Sequence, residues 1–201
     1  MLLPSIPRSV FENSKDSLKE LVTLKSEYKK ELGSQWGLTL EKRTPVIGAI
    51  DDSIVVGKTI EGLHTLNMTE FIIFSEQPGK RDSNVVYQNI KSLGTLETWY
   101  ALDALIICEG EQISRDLIDL CAVTGVIPII SHRVAVLSEI ENYDPREEQG
   151  DAFIIHHLSE WGVFAAIVRM LETYQFPYDL RTIIEHNIER VSHKKTLPLT
   201  D

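Results

Sequence analysis

The segment CEGEQISRDLIDL, residues 108–120, brings Glu109, Glu111, Asp116 and Asp119 together where a strand turns into a helix. Carboxylates in such a turn can hold a polar substrate or move protons. Acids near a helix start also complement the helix dipole, and Ser114 is a ready cap, so capping outweighs catalysis on this segment alone. Two further stretches carry acid pairs or cations: IDDSIVVGKT at 50–59, with Asp51, Asp52 and Lys58, and SHRVAVLSE at 131–139, with Ser131 and Arg133. Lys58 either meets an anion singly or stands exposed in a first helical turn, and the exposed reading is the stronger. His156 and His157 have no acid or cysteine at a metal-binding spacing; as neighbours on a strand, one is expected to be buried and the other exposed.

VVGKT at 55–59 lacks the glycine that a phosphate-binding P-loop places five residues before its Gly-Lys pair; that position is Asp52. Without glycines the backbone amides cannot wrap a phosphate. IDDS at 50–53 resembles the acidic pair that opens a two-component receiver domain and helps to hold magnesium. That chemistry also needs an aspartate at the end of the third strand and a lysine late in the sheet. Here those places hold Cys108 or Glu109, and His156. The stretch therefore allows a pseudo-receiver, not a working phosphoreceiver.

The elements that must position these residues read as alternating strands and helices. SKDSLKELVTLKSEYKKELG, at 14–33, repeats apolar residues every three or four positions and predicts a helix that stops at Gly33. TPVIGAI, EFIIFS, LDALIIC, VIPIIS and DAFII predict strands; NVVYQNIKSL, SRDLIDLCAVTG and SEWGVFAAIVRMLETY predict helices, as does the stretch from the first strand to about Leu66. Trp161, Phe164, Ile167, Val168 and Leu171 share helical spacing and predict a core face. Short apolar strands separated by helices imply an α/β fold, a three-layer Rossmann-like domain whose parallel sheet is covered on both faces. Such sheets bind ligands at the carboxyl ends of their strands, where the acidic, Lys58 and Ser131 segments lie.

Composition bounds the rest. The chain has 201 residues, 43% of them hydrophobic, enough for one domain; residues 14–190 are expected to form it, between a flexible segment at 1–13 and a tail at 191–201. A formal net charge of −10 repels phosphate backbones and anionic bilayers, so neither nucleic acid nor membrane is an expected partner. No run approaches the roughly 18 apolar residues of a membrane span, and the N-terminus lacks the apolar run of a secretory signal. Cys108 and Cys121 follow no zinc-binding pattern and are expected to be reduced core thiols. No metal or cofactor is expected. A cytoplasmic location follows, with a plastid also compatible.

Four stretches of the second half resemble bacterial glycogen synthases and plant starch synthases, specifically their C-terminal nucleotide-sugar domain. YALDALIIC at 100–108 is similar to their Tyr-Ala-x-Ala-Asp strand, and AVTGVIPIIS at 122–131 to their Gly-x-Ile-Pro-Ile strand. ENYDPREEQGDAF at 141–153 resembles their acidic loop ending in Gly-x-Gly-Phe, and FIIHHLSEWGVFAAIVRMLETY at 153–174 their helix ending in Arg-x-Leu-x-x-Tyr. KSEYKKELG at 25–33 resembles their linker helix, so the likeness spans roughly 14–190.

The resemblance implies a donor pocket for ADP-glucose or UDP-glucose at the strand ends. It implies Lys58, Ser131 and Arg133 as donor-binding residues, and Glu111 and Asp119 as the acids of a Glu-x7-Glu motif. Counted back from Gly125 without gaps those two positions are Gln112 and Leu120; a shift of one residue restores Glu111 and Asp119. The family's arginine after the first strand falls on Asp51 or Asp52, and Lys58 matches its lysine only with one residue inserted. Its Thr-Gly-Gly falls within Arg133–Val136, which has no glycine, and its second loop glycine is Ala152. Scaffold positions match while pocket positions depart. The expectation is a non-catalytic pseudo-glycosyltransferase that binds a partner glycosyltransferase domain, a glucan or a nucleotide sugar. The alternatives are the donor-binding subunit of a split glucosyltransferase, which predicts an exposed apolar patch, and a pseudo-receiver, which predicts the strand order 2-1-3-4-5.

Overall fold

The computed structural model describes residues 14–38, 40, 43–50, 54–63, 69–76, 79, 82–108 and 115–196. Six strands form one sheet: β1 (Val46–Ile50), β2 (Glu70–Ser75), β3 (Val85–Asn89), β4 (Ala104–Ile107), β5 (Ile127–Ser131) and β6 (Phe153–Ile155). Their order is β3-β2-β1-β4-β5-β6 and every pairing is parallel. The helices are α1 (Ser14–Trp36), α2 (Ile54–Gly62), α3 (Leu96–Ala101), α4 (Arg115–Thr124), α5 (His132–Ser138), α6 (Glu160–Tyr174) and α7 (Pro177–Thr196). A 3-10 turn, Ile90–Gly94, precedes α3.

Alternation along the strands divides the core in two. Phe74, Leu105 and Ile107 point to one face and pack with Trp99, Leu117 and Cys121 from α3 and α4. Ile47, Ile106 and Ile129 point to the other and pack with Val56, Ile60, Val163, Ile167 and Met170 from α2 and α6. Burial on both faces is why these strands are continuous apolar runs with little polar alternation. Gly48 keeps the sheet close to its neighbours: a Cβ there would lie 2.9 Å from Leu105 Cδ1. A third cluster, Leu18 and Leu21 against Ile184 and Ile188, ties α1 to α7.

Pro128 lies inside a central strand, which normally cannot spare the N–H. The register explains it. Ile127 N donates to Asp103 O on the β4 side, so the Pro128 nitrogen faces the β6 side, where pairing begins only at Ile129 with Phe153.

Two expectations are corrected. NVVYQNIKSL is not one helix: Val85, Val86 and Tyr87, types that suit a pleated surface, pair with Phe71, Ile72 and Ile73 of β2. Asn89 then ends the strand, and its side chain accepts the Lys91 N–H to start the 3-10 turn. Nor does α1 stop at Gly33. It runs to Trp36, and Gly37, at φ 70°, supplies the left-handed residue that ends it. Gly33 serves packing instead, since a Cβ there would meet Leu40 Cδ1.

Candidate functional site

At the carboxyl edge the strands deliver their loops to helix starts. The acidic turn after β4 largely escapes view: Glu109, Glu111 and Ser114 lie outside the described residues, as do Asp51 and Asp52 after β1. Asp116 stands exposed in the first turn of α4. Asp119 is further along that helix, its Oδ1 3.7 Å from Arg190 Nη1 of α7. Arg190 also approaches Asp151, just before β6 begins, at 3.9 Å, so this cluster joins helices and the amino end of β6. Lys58 is exposed on α2, and Thr59 beside it donates its hydroxyl to Val55 O. Gly57 and Lys58 thus belong to a regular helix and not to a phosphate-wrapping loop.

β5 ends in Ser131, which is buried and caps α5 by accepting the Val134 N–H at 3.4 Å. Arg133 follows, exposed, while Val134 and Ala135 turn into the core. Ser131 is in register with Ile155 of β6, so the residues after each strand, His132 and His156, emerge side by side. Their ring centroids are 6.2 Å apart and both residues are exposed. His157 is exposed too, which corrects the expectation that one of His156 and His157 is buried: β6 has ended at Ile155, and strand alternation no longer applies. Ser159 then caps α6 by accepting the Gly162 N–H at 3.2 Å.

The α6 face also needs correction. Val163, Ala166, Ile167 and Met170 are buried, whereas Trp161 is 79% exposed and Phe164 lies at the surface, the two rings meeting edge to face at 5.9 Å. Helical spacing alone could not tell which part of a wide apolar stripe meets the sheet. Arg133 and His156 were singled out in sequence; His132 and its meeting with His156 were not. The available signal was that each histidine directly follows a strand.

The amino edge contrasts with this open one. Asp103 accepts the Val46 N–H at 2.7 Å and the Lys29 ammonium at 2.6 Å. Lys25 reaches the carbonyls of Leu102 and Thr124, the carboxyl ends of α3 and α4, whose dipoles favour a cation. Burial pushes the Lys25 pKa down to about 8, against the attraction of Asp103. Cys121 lies nearby, its thiol pushed up to about 12 by burial. Cys108 and Cys121 form no disulfide and both are buried, as expected of core thiols. Among the described residues no group of three or more His, Cys, Asp or Glu side chains could hold a metal ion. No helix among them is long and apolar enough to cross a membrane.

Strand order, parallel pairing and helices on both faces define a Rossmann-like α/β domain. The third strand pairs with β2 and not with β1, unlike the receiver order. No protein-family model matches the chain, and no curated protein matches it in sequence. Among solved structures it is similar to the catalytic domain of starch synthase IV from Arabidopsis thaliana, bound to ADP and acarbose. The two superpose with a TM-score of 0.58 at 16% identity, over 84% of this chain and 43% of that one. The fold is therefore that of one glycosyltransferase domain, and the chain spans less than half the length of that neighbour.

Proposed function

We propose that residues 14–190 form a glycosyltransferase-like domain that binds a nucleotide sugar, such as ADP-glucose or UDP-glucose, or its nucleoside diphosphate, without transferring the sugar. The observation that carries this reading is the turn from β5 into α5. The scaffold is complete there, yet buried Val134 and Ala135 occupy the stretch where the resemblance calls for glycines. Side chains at those positions keep a diphosphate from approaching the backbone as closely as glycine allows. Asp119, a candidate for the second acid, faces Arg190, an arrangement suited to holding α4 against α7. Binding then falls to the cations at the strand ends, Arg133 and Lys58, with Ser131 ordering the turn.

Calorimetric titration with ADP, UDP, ADP-glucose and UDP-glucose, beside an assay of glucosyl transfer to glucan, tests this. Saturable heat without transfer is the expected result. Transfer by the purified chain that is abolished by Glu111→Gln would overturn it.

A second reading, the donor-binding subunit of a split transferase, draws on the exposed Trp161–Phe164 pair together with the neighbour's greater length. It requires transfer to appear when a second domain is supplied and to fall with Trp161→Ser.

A further inference from the structure

We infer that the His132–His156 pair, with Arg133, forms an oxyanion site for the phosphates of a nucleoside diphosphate, displaced toward the β5–β6 side of the sheet. This rests on the binding reading above and names the groups that would perform it. Three observations converge. The β5–β6 register brings the two imidazoles side by side, 6.2 Å between centroids, which is a separation one phosphate can bridge. Both rings are exposed at the carboxyl edge, and the Arg133 guanidinium follows the first of them in the chain. His157, next in the chain, is exposed too, and the next acid in sequence is Glu160, in the first turn of α6.

The ligand sign follows from the company these groups keep. A metal cation would need three or more His, Cys, Asp or Glu ligands, and the described residues offer no such set. Paired imidazole N–H groups, with an exposed guanidinium at the next position in the chain, suit phosphate oxygens, and Arg can grip two at once. Neighbouring strands are about 4.8 Å apart, so the pair lies on the order of 10 Å from the end of β1, where Lys58's helix begins. The two places are separable by mutation.

The test is calorimetry on the full chain with pyrophosphate, ADP and ADP-glucose, comparing wild type with His132→Ala/His156→Ala, Arg133→Ala, His132→Lys/His156→Lys and Lys58→Ala. Circular dichroism verifies the fold of each. The inference expects saturable pyrophosphate and ADP binding, weakened at least tenfold by the double alanine variant and by Arg133→Ala. The double lysine variant, which supplies ammonium donors in place of the rings, should recover most of it. Binding lost only in Lys58→Ala overturns the inference while the nucleotide reading stands. Pyrophosphate binding through the histidines without ADP-glucose binding supports the oxyanion site and removes the nucleotide-sugar reading. No heat with any of the three ligands, or histidine-dependent binding of zinc with none of pyrophosphate, overturns the oxyanion site.

Discussion

The two ends of the sheet handle polar groups in opposite ways. At the amino edge, Lys25, Lys29 and Asp103 come from elements far apart in sequence and satisfy backbone groups or one another. At the carboxyl edge, His132, Arg133 and His156 emerge from adjacent strands and remain exposed. The amino edge is built to hold α1 and the sheet together. The carboxyl edge is where polar side chains are left available to something outside the chain. Stability and binding should therefore divide between the two edges, and mutation can test that division.

The largest effect is expected from Asp103→Ala. It leaves the Lys29 ammonium and the Val46 N–H without their shared carboxylate, at a site only 9% exposed. A loss of about 3 kcal/mol is expected in urea unfolding, because removing one partner strands the other. A loss below about 1 kcal/mol would mean that the amino edge is not the lock described.

Next comes a pH effect from the same edge. The unfolded chain holds the Lys25 proton up to the ordinary 10.5, whereas the folded chain releases it near 8. Unfolded chains thus bind more protons between those values, so stability rises with pH from about 8, by about 1 kcal/mol per pH unit at first. Cys121 works in the reverse direction. Its folded pKa lies above the ordinary 9.0, so stability is lost as pH climbs past 9. A stability maximum near pH 9 is expected, and Lys25→Met should remove the rise that leads to it. Denaturation midpoints that fall steadily from pH 7 to 9 in the wild type would contradict this.

Smaller still are the stability effects at the carboxyl edge. Arg133→Ala and the double histidine variant should each shift stability by no more than about 0.5 kcal/mol, as exposed substitutions do. The same variants should lower diphosphate affinity at least tenfold, which sharpens the division. The smallest change is expected for Trp161→Ser, whose ring is 79% exposed: its Tm should match the wild type within about 2 °C. A marked drop would place Trp161 in the core.

Much of the fold was legible residue by residue. β1, β2, β4, β5 and β6 each appear as a short apolar run, because strands buried on both faces carry no polar alternation. β3 escaped because its last two residues, Gln88 and Asn89, are polar and run directly into a helical turn. That one miss has a large consequence. Without β3 the order would be β2-β1-β4-β5-β6, the receiver arrangement; with it, the sheet has the Rossmann order 3-2-1-4-5-6. The site was less legible. Ser131 and Arg133 could be placed at a strand end from the chain alone, but Asp119's attachment to Arg190, seventy-one positions later by number, could not.

The sequence by itself determined the α/β class, the approximate strands and the absence of an obvious zinc or P-loop motif, since these depend on residue type and local spacing. Only the tertiary structure decided the strand order, the exposure of Trp161 and the meeting of His132 with His156. Those depend on parallel register and on which stripe of a helix faces the sheet. Both are set by packing between segments distant in the chain, and local periodicity carries no record of the partner.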